Sequence, residues 1–147
     1  MTTIHQLLKI KGHHFHSVGP KETVYSAIKF MAEKDIGSLL VMDGGLLKGI
    51  LTERNYAREI VLKGRTSPQT LVQEIMQLEV SCIEPNVSVE AALEVMTVER
   101  VRHLPVVDGG RVVGIISIGD LVKSLIDAQR FTIDQLEGYI HGEVRIH

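Results

Sequence analysis

Two copies of one pattern run through this 147-residue chain at a fixed offset of 65 residues. Asp43-Gly44-Gly45 returns as Asp108-Gly109-Gly110, and with no gap Pro20 falls on Pro85, Val24 on Val89, Ala27 on Ala92 and Met31 on Met96. Leu39, Val41, Gly49 and Ile50 then fall on Leu104, Val106, Gly114 and Ile115, Thr52 on Ser117 and Asn55 on Asp120. An ungapped match of this extent denotes two copies of one supersecondary unit, which does not bury its apolar face alone. The two copies are therefore expected to pack as one compact module, with residues 1–65 as the first repeat, 66–128 as the second and 129–147 as a C-terminal helix and tail.

The unit is clearest over Val101–Lys123. Leu104–Val107 and Val112–Ile116 are short β-branched apolar runs of strand length. The Asp-Gly-Gly between them makes a hairpin turn, since glycine takes the positive φ that a tight turn needs. The matching strands of the first copy are Ile36–Met42 and Leu47–Leu51. Ahead of each hairpin lies a helix. Thr23–Lys34 has Thr23 as a candidate N-cap and Val24, Ala27, Ile28 and Met31 on one face, repeated as Val89, Ala92, Leu93 and Met96. After each hairpin a further helix is expected, from Thr52 to about Lys63 and from Asp120 to Arg130. Lys63–Pro68 reads as the linker. Short helices at Ile4–Leu8 and Val72–Met76 open the copies, and short strands are expected near Ser17–Val18 and Ser81–Ile83. Thr132–Ile140 is amphipathic and reads as a separate final helix, with Gly142–His147 as a loose end. The fold class is α/β mixed (α+β): two pseudo-twofold-related repeats, each a small β-sheet with flanking helices.

Composition removes several classes of function. Hydrophobic residues make up 44% and charged residues 23%, ordinary for a soluble globular chain. No apolar run approaches the ~20 residues of a membrane span, and the N-terminal stretch lacks the apolar core of a secretory signal. A net charge of −2 gives no reason to expect nucleic acid. One cysteine, Cys82, rules out an internal disulfide and suits a reducing compartment, so the expected location is cytoplasmic. His13, His14 and His16 share a loop, but no carboxylate or cysteine stands near them in sequence. They read as solvated loop residues, and no metal site is expected. No nucleophile–base pair is visible, Cys82 reads as a small core or cleft residue, and no enzyme activity is expected.

The polar residues at the strand-to-helix junctions carry the chemistry that remains. Ser117 and Asp120, three residues apart, are placed to hold a sugar or phosphate near a helix start, or simply to cap that helix. Arg54 offers a fork of donors suited to phosphate, or is a solvated charge. His103, just ahead of the second hairpin, is open to reading as a core-edge residue. Tyr56, Ile60, Leu121, Leu125 and Ile126, with Phe131, Ile133, Leu136 and Ile140 of the tail, offer apolar surface expected to pair two copies of the chain.

GILTERN in the first copy and GIISIGD in the second, with IGSLLVMD and RHLPVVD ahead of the hairpins and VQEIM before the second unit, resemble a tandem cystathionine β-synthase (CBS) domain pair, or Bateman module. The resemblance spans about Ile4 to Ile126, and the tail FTIDQLEGYI resembles small stand-alone bacterial members. It implies a non-catalytic regulatory module that binds AMP, or ADP, ATP, NAD or S-adenosylmethionine, in clefts between the repeats and signals through an effector protein. The alternative is an interaction scaffold with vestigial pockets. Carried over by position, the ligand-binding residues are Thr52, Arg54 and Asn55, Ser117 and Asp120, Ile36, Gly37 and Ser38, and Val101, Arg102 and His103, with Cys82 beside them. Asn55 replaces the acidic residue of the pattern, so the Asp120 site is expected to hold ribose better.

Overall fold

The computed structural model describes residues 1–141. In each repeat a capped helix leads into a hairpin. Helix α2 (Val24–Lys34) starts at Thr23, whose hydroxyl oxygen accepts the Ser26 N–H, and buries Val24, Ala27 and Met31. Helix α5 (Val89–Glu99) starts at Ser88 in the same way and buries Val89, Ala92 and Met96. Such a cap satisfies an N–H that the first turn leaves unpaired. The hairpins are β2 (Ser38–Asp43) with β3 (Leu46–Thr52), and β4 (His103–Asp108) with β5 (Arg111–Ser117). Both turn on Gly-Gly at φ 58° and 80°, the left-handed values of the turn whose twist matches a hairpin. Both also slip register at the same place, leaving Lys48 and Val113 as bulged residues.

The third strand differs between copies, and one residue accounts for it. Strand β1 (Ser17–Val18) runs parallel to β2, with Leu40 donating to the His16 carbonyl at 3.4 Å. In the second repeat the residue matching Leu40 is Pro105, which has no N–H to give. The expected strand near Ser81–Ile83 is therefore reduced to a single parallel bridge, Ile83 to Val106, held by Ile83 N to Pro105 O at 3.0 Å and Val107 N to Ile83 O at 2.9 Å.

Each repeat completes its core with a helix from the other. Ile4, Leu7 and Leu8 of α1 (Ile4–Lys11) lie in one buried cluster with Ile83, Val89, Ala92, Met96, Leu104, Val106, Ile116 and Leu121, all of the second repeat. Val72 and Ile75 of α4 (Val72–Ile75) lie in the other, with Val18, Val24, Ala27, Met31, Leu39, Val41, Leu51 and Ile60. Main-chain bonds fix both crossings. Ile4 N donates to Val87 O and Val89 N to Thr2 O, while Val72 N donates to Glu22 O and Val24 N to Thr70 O, each at 2.8–2.9 Å. Ile4 and Val72 are 68 residues apart in sequence, whereas the body of the repeat recurs every 65. The difference of three is taken up before β1, where α1 has eight residues and α4 four. Reciprocal contacts of this kind are what an approximate twofold axis produces.

Three expectations about the helices need correction. The helix after the first hairpin has an α-helical start, α3 (Glu53–Tyr56), and then widens into a π-helical turn over Ala57–Val61. After the second hairpin, α6 (Ile118–His141) is one continuous helix instead of two. No glycine or proline interrupts the junction near Phe131, and the Thr132 hydroxyl folds back to the Ala128 carbonyl at 3.1 Å instead of capping a new helix. Ile60 and Leu121 are not surface residues. They are 2% and 0% exposed, because the helices turn those positions inward, and Tyr56 and Leu125 pack against the same two cores. Ile126, Phe131, Ile133 and Leu136 are exposed as expected, and Ile118 and Val122 of α6 add to that apolar surface. The side chain of Ile140 and the segment Gly142–His147 lie outside the described residues.

The crossing segments press on the glycine in the middle of each second hairpin strand. A Cβ on Gly49 would lie 2.7 Å from the Gln77 carbonyl oxygen, while one on Gly114 would meet the tip of the Leu8 side chain at 2.9 Å. Gln77 is itself fixed by paired bonds with Ile50, whereas a leucine tip can rotate. Gly49→Ala is therefore expected to cost about 1–3 kcal/mol, the range for overpacking, and Gly114→Ala less. Denaturant unfolding of the two variants checks the order, and a larger loss for Gly114→Ala would contradict the crossing as described.

Candidate functional site

A cleft of about 620 Å³ lies between the repeats, within the range of small-molecule sites. Gly37, Ile50, Thr52, Glu53 and Arg54 form one wall, and Gln77, Val80, Ser81, Arg100, Val101, Arg102 and His103 the other. The first wall comes from the approach to β2 and the β3–α3 junction. The second comes from the end of α5 and the chain that follows α4. The swapped arm thus carries Gln77, Val80 and Ser81 into place.

Six of the residues singled out from the sequence line this cleft: Gly37, Thr52, Arg54, Val101, Arg102 and His103. Ser38 is buried opposite Thr52 in the hairpin, and Ile36 packs on the first core. Cys82 lies apart, in a more open depression with His5, Glu84 and Asp108. Partial burial pushes its thiol above the usual value, which favours the protonated form. Sequence reasoning missed Arg100, one position before the Val101–His103 run. It also missed Gln77, Val80 and Ser81, which reach the cleft only because the arm crosses.

The junction motifs are reciprocal capping pairs in both copies. Asn55 N donates to Thr52 Oγ1 at 3.1 Å, and Thr52 returns its N–H and hydroxyl to Asn55 Oδ1 at 3.1 and 2.8 Å. Asp120 N donates to Ser117 Oγ at 3.1 Å and Ser117 N to Asp120 Oδ2 at 2.8 Å. Capping leaves different groups over. Asn55 keeps its amide NH₂ as a donor, and Asp120 keeps Oδ1 as an acceptor.

Asp120 has a further partner. Lys11, at the end of α1, donates to Asp120 Oδ2 at 2.5 Å and to the Ile115 carbonyl at 2.6 Å. Burial alone would raise the Asp120 carboxyl, but the Lys11 bond, the Ser117 N–H, the Lys11 charge and the Ser117 hydroxyl outweigh it and hold it below the usual value. The expectation that Asp120 offers the better ribose site thus meets a carboxylate already held within the protein. His103, which pairs with Ser117 across the hairpin, feels the same charges. Burial, then Lys11 and Arg102, hold its imidazole below the usual value against the opposing pull of Asp120.

The loop histidines are engaged locally. His13 Nδ1 meets the carbonyl of the bulged Val113 at 3.0 Å. His14, His16 and Phe30 stack edge to face. Among the described residues no group of three or more His, Cys, Asp or Glu is arranged to hold a metal ion, and no helix is long and apolar enough to cross a membrane.

The family model described as CBS domain matches this chain twice, over residues 9–62 and 72–127. The chain belongs to the CBS-domain family. As a tandem pair it is 36% identical to the CBS domain-containing protein CBSX3, mitochondrial, of Arabidopsis thaliana, over 96% of this chain and 73% of that protein. Its fold is similar to that of a putative signal-transduction protein with CBS domains from Burkholderia ambifaria MC40-6, at 51% identity and a TM-score of 0.83, covering 87% of this chain and 96% of that one. CBSX2, solved in complex with AMP, shares the fold at 20% identity and a TM-score of 0.71, over 88% of this chain and 99% of that one. CBS pairs are regulatory modules that often bind adenosine-containing ligands, and CBS-domain-only proteins are generally non-catalytic.

The His103 environment predicts a titration. Because its folded-state value is depressed, the stability it contributes is present above about 6.5, the ordinary histidine value, and is lost as pH falls below it. NMR titration should place His103 below that value, with Lys11→Met raising it, since a repelling charge is removed and Asp120 is left unpaired. An unchanged titration in Lys11→Met would separate Lys11 from the Asp120–His103 cluster.

Proposed function

We propose that this CBS pair is a non-catalytic regulatory module that takes an adenine nucleotide in the cleft lined by Thr52, Arg54 and Val101–His103, and signals its presence to a protein partner. The family resemblance puts AMP first, with ADP, ATP, NAD and S-adenosylmethionine as alternatives within the same class. The observation that carries the reading is the cleft itself. Both repeats build it, it has the volume of a small-molecule site, and it sets arginine forks opposite a Thr-x-x-Asn junction. Guanidinium groups match phosphate oxygens, and Gly37 leaves room for a flat base against the main chain. The AMP carried by CBSX2 supports the ligand class by analogy of fold. A compartment that holds free nucleotide, the cytoplasm, suits this reading.

The competing reading is an interaction scaffold. It draws on one observation: Asn55 and Asp120 are both engaged within the protein. Thermal unfolding separates the two. AMP at a hundredfold excess over its Kd adds about 2.7 kcal/mol of stability to a binder. Arg102→Ala should weaken AMP by about tenfold, the ~1.4 kcal/mol of one charge-assisted bond. A melting temperature indifferent to every adenine nucleotide establishes the scaffold.

The exposed face of α6 supports a homodimer. Ile126 and Phe131 are 43% and 67% exposed, and an apolar stripe on a helix extending beyond the repeat is suited to pairing with its own copy. Light scattering at micromolar concentration is expected to give twice the chain mass, and Ile126→Glu with Phe131→Glu the mass of one chain. A single-chain mass for the unmodified protein would remove the dimer.

A further inference from the structure

We infer that the Thr52 cleft is built for a linear polyphosphate, and that it takes a nucleoside triphosphate in preference to a monophosphate or to the cationic S-adenosylmethionine. The inference rests on the adenine-nucleotide reading for the nucleoside alone; the phosphate chain follows from the arginines.

Three arginines line this cleft, Arg54 from the first repeat and Arg100 and Arg102 from the second. None of them has an ion-pair partner among the described residues, where the pairs are Lys11–Asp120, Lys63–Glu59 and Arg65–Glu74. Glu53 is the one carboxylate on the lining, so with His103 neutral the walls carry a surplus of two positive charges. Like charges gathered around a partly enclosed space repel one another and raise the potential inside it. An anion relieves that repulsion, and a sulfonium adds to it.

The positions that match these three at the repeat offset are Gly119, Asp35 and Gly37. Not one is basic and one is acidic, so the repeat pattern alone does not require arginines here. They are concentrated on one of the two inter-repeat faces. The neutral Asn55 adds to the difference. Its Oδ1 is taken by Thr52, which leaves an NH₂ donor at the junction where the other copy has a carboxylate.

Donor count then selects the length of the phosphate chain. A monophosphate would balance the surplus charge, but it presents only three terminal oxygens. Each arginine fork can engage two oxygens, so three forks exceed what one phosphate offers. A triphosphate more than doubles the available oxygens and spreads them along a chain that can meet both walls.

The test is calorimetry on the full chain, without divalent cations, with AMP, ATP, S-adenosylmethionine and sodium tripolyphosphate. The expected result is ATP at least tenfold tighter than AMP, measurable binding of tripolyphosphate and none of S-adenosylmethionine. Arg54→Gln and Arg100→Gln, checked for an unchanged melting temperature, should each weaken ATP about five- to tenfold and AMP less than twofold. If tripolyphosphate binds as tightly as ATP with the same arginine dependence while AMP does not bind, the polyphosphate site stands, its source is a free chain, and the adenine reading falls. AMP equal to or tighter than ATP, or an ATP-to-AMP ratio unchanged in both variants, overturns the inference and leaves the adenine reading in place. Absence of binding by any of the four overturns both.

Discussion

The exchange of leading helices holds this molecule together. The apolar faces of α1 and α4 are each buried in the core that the other repeat supplies most of, and the main-chain bonds between Ile4 and Val87 and between Val72 and Glu22 lock the two crossings. Removing either arm would open a cavity in one repeat and expose leucine or isoleucine on the other, so the repeats are stable as a pair and not singly. The cleft inherits this dependence. Gln77, Val80 and Ser81 stand on one wall because α4 has already crossed to the opposite side, and Lys11 reaches Asp120 because α1 has done the same. Gly49 and Gly114, which recur in both motifs, are accounted for by the same crossings: each lies where a passing segment leaves no room for a Cβ.

Much of this was legible in the residues. The offset of 65 marked both hairpins, their glycine turns and the capped helices at Thr23 and Ser88, and the Thr52–Asn55 and Ser117–Asp120 junctions form as their spacing suggests. What stayed hidden was non-local. Nothing within Ile4–Lys11 states that its apolar face belongs to Ile83 and residues beyond it, so the arms, the cleft residues they deliver and the Lys11–Asp120 pair could not be read. Ile60 and Leu121 read as surface residues because helical spacing shows which residues share a face and not which way that face points. The break expected before Thr132 had no glycine or proline behind it, and tertiary space past the repeat allowed α6 to continue.

The two inter-repeat faces have diverged although their frames are the same. One lines its cleft with Arg54, Arg100 and Arg102. The other holds its carboxylate in an internal ion pair. Pro105 contributes to the same asymmetry. By withholding an N–H it leaves the main chain at Ser81, on the cleft wall, outside the ladder that claims the matching His16 carbonyl in the first repeat. A substitution that merely shortens a strand thereby leaves polar main-chain groups beside the cleft.

The crossed arms also set an order of events during synthesis. The first core needs nothing beyond Met76, so it can close while most of the second repeat is still unmade. Helix α1 has no such early partner: its residues Ile4, Leu7 and Leu8 meet Val89, Leu104 and Leu121, the last of which emerges more than a hundred residues later. At a few residues per second to about twenty, a ribosome leaves that apolar arm uncovered for several seconds beside a half that is already folded. Pairings of such long sequence separation are slow to form once the chain is complete. The nascent chain thus carries an apolar liability on a segment made long before its partner, where a chaperone, or the matching vacancy on a neighbouring chain, can reach it first.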